Sequence, residues 1–174
     1  MFCYQCQEAC KNVACTVNGM CGKKADVANL QDLLVHSLKG IAAVIDAGKL
    51  DVDADTGLFL TKSMFMTITN GNFDGARIEK QIVEALVRRE QLKAKAGALT
   101  DLPAAATWTA EPAQFADIAA SVGVLATENE DVRSLRELLI YGLKGVCAYA
   151  EHAVVLGKTD SSIDVFLVEG LAST

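Results

Sequence analysis

Apolar residues recur at helical spacing in several long stretches of the chain, separated by short polar segments. In the first stretch, from Val27 to Gly48, they repeat every three or four residues, which places them on one helix face. This face consists of Leu30, Leu33, Leu34, Leu38, Ile41 and Ile45. A second apolar stretch covers 58–68. A third helix is expected after Asp74, a suitable N-cap, and it carries Arg88 and Arg89 towards its C-terminal end.

The C-terminal half contains two more predicted helices. Residues 97–112 include both prolines and the only tryptophan, and they are the best candidate for a linker. The acids and caps at 128–131 precede a long predicted helix over about 132–156. Asp160 is suited to cap a last helix that begins near Ile163. Little in the chain resembles the alternating pattern of strands, so the sequence predicts an all-α fold.

The long helix of the second half repeats the first helix of the chain. Leu30–Val44 (LQDLLVHSLKGIAAV) and Leu135–Tyr149 (LRELLIYGLKGVCAY) are identical at seven of fifteen positions, at a constant offset of 105 residues. A shared Leu-Lys-Gly triplet in register indicates duplication rather than a coincidence of leucines. Glycine inside a helix costs about 1 kcal/mol relative to alanine. We therefore expect Gly40 and Gly145 to permit close helix–helix approach.

The repeat predicts two tandem three-helix bundles. The counterpart of the third helix would fall beyond Thr174, so the second bundle lacks it. Two helices cannot easily bury an apolar stripe alone. We expect the rest of a longer protein, a partner chain or a second copy to cover it. The predicted units are a cysteine-rich loop (1–26), a first bundle (27–97), a linker or crossover (98–130) and an incomplete second bundle (131–174).

Composition and charge exclude several classes of protein. Apolar residues make up 51% and charged residues 22% of the chain, as in globular domains, and the net charge is −6. A nucleic-acid binder would carry a basic stripe, which is missing here. Neither a run of 18 apolar residues nor a signal peptide is present, so we expect no membrane span and a cytoplasmic protein. In that reducing compartment, clustered cysteines are usually metal ligands or redox groups.

Four cysteines are spaced as Cys3-x2-Cys6-x8-Cys15-x5-Cys21. Soft thiolates select zinc or iron–sulfur clusters. Zinc sites more often use two tight Cys-x2–4-Cys pairs, so the longer wrap favours an iron–sulfur cluster. Zinc and thiol redox chemistry stay open from the spacing alone. Cys10 could replace one ligand, whereas Cys147 is expected to be a small buried thiol.

The surroundings of the cysteines also favour a cluster. Gly19 and Gly22 let the backbone turn close to sulfur and offer N–H groups to it. Lysines in the loop would place positive charge beside an anionic cluster, and apolar side chains could shield it from water. The lysines are Lys11, Lys23 and Lys24, and the apolar residues are Phe2, Tyr4, Val13, Val17 and Met20.

No other motif forms a catalytic site. His36 and His152 are the only histidines, and neither has a spaced partner that would make a metal site. We expect His36 at a helix surface or boundary and His152 as a polar helix residue. The acidic segment Asp51–Gly57 resembles part of a calcium loop but has Lys62 in place of the final glutamate. We assign no catalytic residue to the chain.

Motifs along the whole chain resemble the N-terminal part of the hybrid-cluster (prismane) proteins, also called hydroxylamine reductases. The matching segments are MFCYQCQE (1–8), GMCGK (19–23), NLQDLL (29–34), TITN (67–70), NFD (72–74), ATENEDVRSLRELL (126–139) and AYAEHA (148–153). The resemblance implies two three-helix bundles and a [4Fe–4S] cluster on Cys3, Cys6, Cys15 and Cys21. Cys10 departs from the family pattern. In the family, the hybrid cluster that reduces hydroxylamine or nitric oxide is held by later domains.

Two functions follow as hypotheses. In the first, the chain relays electrons from an electron-donor redox protein to a hybrid cluster outside this chain. In the second, the cysteine loop is a structural metal site, and the helices form an interaction scaffold without redox activity. The response of the bound metal to dithionite distinguishes the two.

Overall fold

The structure is a computed structural model that describes residues 1–174. Helices dominate it and no strand is formed, which confirms the all-α prediction. The helices are α1 (Ala25–Gly48), α2 (Ala54–Met66), α3 (Gly75–Ala96), α4 (Ala104–Thr107), α5 (Phe115–Ser121), α6 (Glu130–Val155) and α7 (Ser161–Ala172). Residues 1–24 precede α1 as a loop with one 3-10 turn, Cys10–Asn12.

Side-chain caps fix where most of the long helices begin. Asp74 accepts a hydrogen bond from the amide of Arg77 at the start of α3, and Asp160 accepts one from Ser162 at the start of α7. Both predicted caps are therefore confirmed. Asp53 and Asn129 do the same for α2 and α6. Each cap satisfies an amide that has no partner within the helix.

Helix α1 lies at the centre of the molecule. It packs most extensively against α3 and also contacts α7, α4 and α5. Its leucine and isoleucine face is buried, and Leu33, Leu34 and Leu38 are completely inaccessible to solvent. One continuous hydrophobic cluster joins α1, α2, α3, α5, α6 and α7. The division into separate domains stays a prediction.

Residues 98–130 are packed onto α1 rather than extended. The side chain of Arg89 is 2% exposed, and it donates to the carbonyl of Ala105 at 3.2 Å and that of Trp108 at 2.6 Å. Ala106 and Phe115 belong to the hydrophobic cluster. This segment is therefore held by hydrogen bonds from Arg89 of α3 and by apolar contacts, neither of which its composition predicted.

The repeat is visible in the helix boundaries, but the two copies differ in burial. Helix α6 begins 105 residues after α1. Leu30 and Leu33 are 9% and 0% exposed, whereas their counterparts Leu135 and Leu138 are 68% and 71% exposed. In the first copy α3 and α4 cover this face, and no element of the chain does so on α6.

The two glycines of the Leu-Lys-Gly triplets have different surroundings. A Cβ atom on Gly40 would overlap the carbonyl oxygen of Ala105 and lie 3.3 Å from the Cα atom of Ala106. The close approach predicted at Gly40 is present, with α4 as the neighbour. The same prediction is wrong for Gly145 in this structure, because nothing lies within 4 Å of its position.

Helix α6 is the one helix long and apolar enough, by length and composition, to cross a membrane. It packs here against α2 and α7 through a buried face that includes Leu143 and Cys147. Core helices of proteins outside membranes pass the same test.

Candidate metal centre

The N-terminal loop brings its first and third predicted ligands together. Cys3 and Cys15 pair as an antiparallel bridge, with amide-to-carbonyl distances of 3.0 and 2.8 Å in the two directions. The amide of Gly19 donates to the carbonyl of Lys23 at 2.7 Å, which folds the segment around Cys21 back on itself. The loop thus consists of a paired segment and a tight turn, each carrying predicted ligands.

The cysteine side chains differ in exposure. Cys15 is buried, Cys3 and Cys6 are half-buried, and Cys10 and Cys21 are exposed. All six cysteines are free thiols. No three cysteine, histidine or acidic side chains converge at the spacing of a single metal ion. A multi-iron cluster is larger than one ion, so its ligands are spaced more widely.

The turn at Gly19 fits a cluster-binding loop. A Cβ atom at this position would lie 3.0 Å from the Sγ atom of Cys21 and 3.1 Å from the Cβ atom of Lys23. A side chain at this position would crowd the Cys21 thiol and the Lys23 side chain, so glycine lets the backbone pass close to both. The loop carries five unpaired thiols, and the soft thiolates of Cys3, Cys6, Cys15 and Cys21 suit an iron–sulfur cluster by their donor chemistry. The assignment of these four as ligands stays a prediction.

The expected apolar shield is only partly present. Phe2 and Tyr4 are half-buried, whereas Val13, Val17 and Met20 are exposed to solvent. Their part in shielding a bound cluster stays a prediction. Sequence alone does not show which loop residues are buried, since the loop has no repeating period.

Side chains from both halves of the chain hold the loop in place. The hydroxyl of Tyr4 donates to the Oε2 atom of Glu137 at 2.8 Å, and the hydroxyl of Tyr141 donates to the carbonyl of Gln5 at 3.3 Å. The amide of Thr69 donates to the Oε1 atom of Gln5 at 3.0 Å. Helix α6 and the end of α2 therefore form the surface on which the loop rests.

Lys23 ties the other end of the loop to α1. Its side chain is 1% exposed, and its Nζ atom donates to the Oε1 atom of Gln31 at 2.6 Å. Gln31 in turn donates to the carbonyl of Asn72 at 2.9 Å. Of the three lysines predicted to lie near the cluster, Lys23 is buried, whereas Lys11 and Lys24 are exposed.

A cavity of about 560 Å³ opens beside the loop, between α1 and α6. Among the repeat-related pairs that line it are two charged ones, Asp32 with Glu137 and Lys39 with Lys144. Burial raises the pKa of Asp32 to about 6, although Lys144 opposes the shift. Burial lowers the pKa of Lys144 to about 8 and also lowers that of Lys39. Burial and the bond to Glu137 raise the pKa of Tyr4.

Sequence reasoning missed the contribution of α6 to this site. Its polar residues Glu137, Tyr141 and Lys144 are spaced at i, i+4 and i+7, which puts them on one helix face. That spacing of polar residues along one face was the available signal. It could not show that the face meets a loop more than 130 residues away in sequence.

The remaining candidates have structural roles. Cys147 is completely buried, as predicted, and burial raises the pKa of its thiol to about 12. His152 is an exposed helix residue whose ring packs edge-on against Phe65. In the acidic segment, Asp53 caps α2, and Asp55 pairs with Arg88.

His36 is half-buried on α1, as expected for a boundary residue, and it also lines the cavity. The centroid of its ring lies 6.1 Å from that of Trp108. Burial, with Lys39 and Arg89 nearby, lowers its pKa from 6.5 to about 4. As the pH falls, His36 is therefore protonated in the unfolded chain before it is protonated in the folded protein. Protonation favours the unfolded chain, so the free energy of unfolding decreases between pH 6.5 and about 4.

We expect the wild type to lose about 1–2 kcal/mol more stability than His36→Gln between pH 7 and pH 4. The full shift corresponds to about 3 kcal/mol, and partial exposure of the ring reduces it. Urea unfolding of both proteins at the two pH values measures the difference. Equal losses in the two proteins would show that His36 titrates normally.

An N-terminal loop with five free cysteines rests on the repeated helices, and together they define the chain as a helical domain with a cysteine-rich loop. Residues 1–174 match the Prismane/CO dehydrogenase family, and the chain belongs to that family. Proteins of this family bind iron–sulfur clusters.

Several curated relatives match the chain along its whole length. It is 55% identical to a hydroxylamine reductase of Nitratidesulfovibrio vulgaris and 56% identical to one of Desulfitobacterium hafniense, with all of this chain covered in both cases. A hydroxylamine reductase of Clostridium perfringens is 47% identical over 98% of the chain. The chain spans about a third of the length of these relatives: 34%, 33% and 33%, respectively.

Proposed function

We propose that this chain is the N-terminal iron–sulfur domain of a hydroxylamine-reducing or nitric-oxide-reducing hybrid-cluster protein, located in the cytoplasm. It takes electrons from a donor redox protein and passes them to a catalytic centre held by residues outside this chain. The observation that carries the proposal is the loop itself. The backbones of Cys3 and Cys15 are hydrogen-bonded to each other, and Cys21 lies against Gly19. None of the cysteine thiols forms a disulfide.

The thiolates of Cys3, Cys6, Cys15 and Cys21 would hold a [4Fe–4S] cluster, which supplies reversible one-electron transfer when bound. The chain's own residues position and protect the loop. Tyr4 and Gln5 anchor its first turn to α6 and to Thr69, and Lys23 fixes its end. Cys21 is exposed and Cys15 is buried, which gives the loop an outer side for a donor and an inner side facing the protein.

Anaerobic purification followed by metal analysis tests the proposal. We expect iron and acid-labile sulfide in the chain, and visible absorption that bleaches on addition of dithionite. Stoichiometric zinc without iron would reject the proposal. A bound metal that does not respond to dithionite would favour the structural scaffold instead.

The exposed apolar face of α6 favours the expectation that a further element covers it in the whole protein. Leu135 and Leu138 correspond to buried leucines of α1, and Tyr149 corresponds to the buried Val44. A helix equivalent to α3, supplied by further sequence of the whole protein, would cover this face as α3 covers α1. We expect the 174-residue chain to be monomeric in light scattering and to bind an apolar dye. A stable dimer would assign the cover to a second copy.

A further inference from the structure

One face of α6 is directed at the first residues of the cysteine loop. The hydroxyl of Tyr4 donates hydrogen bonds to the carboxylate of Glu137 (2.8 Å) and to the backbone carbonyl of Glu137 (3.2 Å). One turn further on, Tyr141 donates to the carbonyl of Gln5. Lys144 comes next along the same face and lines the cavity together with Cys3. The neighbours of Lys144 are therefore set by the docking of Cys3, Tyr4 and Gln5.

The ammonium group of Lys144 is buried and poorly compensated. The residue is 8% exposed, and its Nζ atom makes one hydrogen bond, to the carbonyl of Thr67 at 3.3 Å. An ammonium has three donors. It makes no salt bridge with any carboxylate of the chain. A buried charge without a partner is costly, and a negative charge nearby would offset that cost.

Three groups of negative or potentially negative charge act on Lys144: Asp32, Cys3 and Glu137. Glu137 is already engaged by Tyr4. Asp32 is the strongest of the three in its effect on Lys144, and it lies in the same cavity without a salt bridge. Cys3 is next, and it would carry a full negative charge as a metal-bound thiolate.

A cluster held by four thiolates is an anion, and reduction adds one more negative charge. Net charge near a cluster is one of the factors that set its reduction potential. A nearby buried cation stabilises the reduced form more than the oxidised form, and low solvent exposure strengthens the effect. We propose that Lys144 raises the reduction potential of the cluster held by the cysteine loop. This inference rests on the proposed function, because it requires that cluster.

The repeat provides a matched control. Lys39 occupies the position equivalent to Lys144, lines the same cavity, and belongs to the same Leu-Lys-Gly triplet. The charges acting on Lys39 are those of Glu137, Arg136 and Asp32, without Cys3. Neutralising Lys39 therefore removes the same charge from the same cavity, at a position where Cys3 is not among the charges that act.

The test is a redox titration of the reconstituted 174-residue chain, monitored by absorbance and electron paramagnetic resonance. Lys144→Met is expected to lower the equilibrium constant for one-electron reduction about tenfold, a shift of about 59 mV to lower potential. Lys39→Met is expected to leave the potential unchanged. Lys144→Arg keeps the charge and should restore most of the potential. Lys144→Gln replaces the methionine variant if the latter does not fold.

Iron and sulfide content separates the two ways in which the idea can fail. If the wild type binds no iron–sulfur cluster, the proposed function is wrong, and the inference falls with it. If Lys144→Met or Lys144→Gln is fully loaded and titrates at the wild-type potential, the inference alone is overturned. Equal shifts for Lys39→Met and Lys144→Met would also overturn it, because they would indicate a general effect of cavity charge.

Discussion

Replacing Cys15 with serine is expected to remove the bound iron and sulfide. Cys15 is the most buried of the four predicted ligands, and its backbone is paired with Cys3 in both directions. The serine hydroxyl is a hard ligand that binds iron–sulfur clusters poorly in place of a thiolate. Replacing a residue that only hydrogen-bonds to a metal ligand already lowers metal affinity about 10–100-fold, and replacing the ligand itself should lower it more. We therefore expect iron per chain to fall by more than about tenfold.

The matched control is Cys10→Ser. Cys10 lies on the same loop, but it is exposed. It starts the short 3-10 turn between Cys3 and Cys15 and takes no part in their backbone pairing. We expect this variant to keep the iron and sulfide content of the wild type. Iron, sulfide and visible absorption measured on anaerobic preparations compare the two variants directly. If Cys10→Ser lost the cluster and Cys15→Ser kept it, the assignment of ligands would have to exchange these residues.

Local signals in the sequence were sufficient to predict the helices and the candidate ligands. The leucine face of α1 and the caps Asp74 and Asp160 depend on residues close together in the chain. The helix face and the caps were predicted correctly because helix periodicity and capping act within a few residues. The cysteine spacing is equally local, and the ligand set that it indicates stays a prediction.

The contacts that position the site are long-range and were not predicted. Tyr4 meets Glu137, and Lys144 meets Thr67, across large separations in sequence. Arg89 holds the 98–130 segment through two backbone carbonyls, and a backbone carbonyl has no signature in the sequence. The repeat predicted equal environments for its two copies. It could not show that only the first copy is covered by α3 and α4.

Gly40 is covered by α4, whereas Gly145 is not covered by any element. This difference predicts that alanine has opposite effects on stability at the two positions. In Gly40→Ala, the added Cβ atom would overlap the carbonyl oxygen of Ala105, which forces α4 away from α1. Because this neighbour is backbone, it cannot move aside by changing rotamer. Overpacking of this kind costs about 1–3 kcal/mol. We expect Gly40→Ala to lower the free energy of unfolding by that amount.

Gly145→Ala is expected to raise the free energy of unfolding by about 0.5–1 kcal/mol. Nothing lies within 4 Å of the added methyl group, and alanine is favoured over glycine inside a helix. Urea unfolding of the two variants and the wild type, with unchanged m-values, measures both effects. Destabilisation of similar size in both variants would show that α6 is already covered in the 174-residue chain. In a longer chain that supplies an element equivalent to α4, Gly145→Ala should become destabilising, because that element would then lie against Gly145 as Ala105 and Ala106 lie against Gly40.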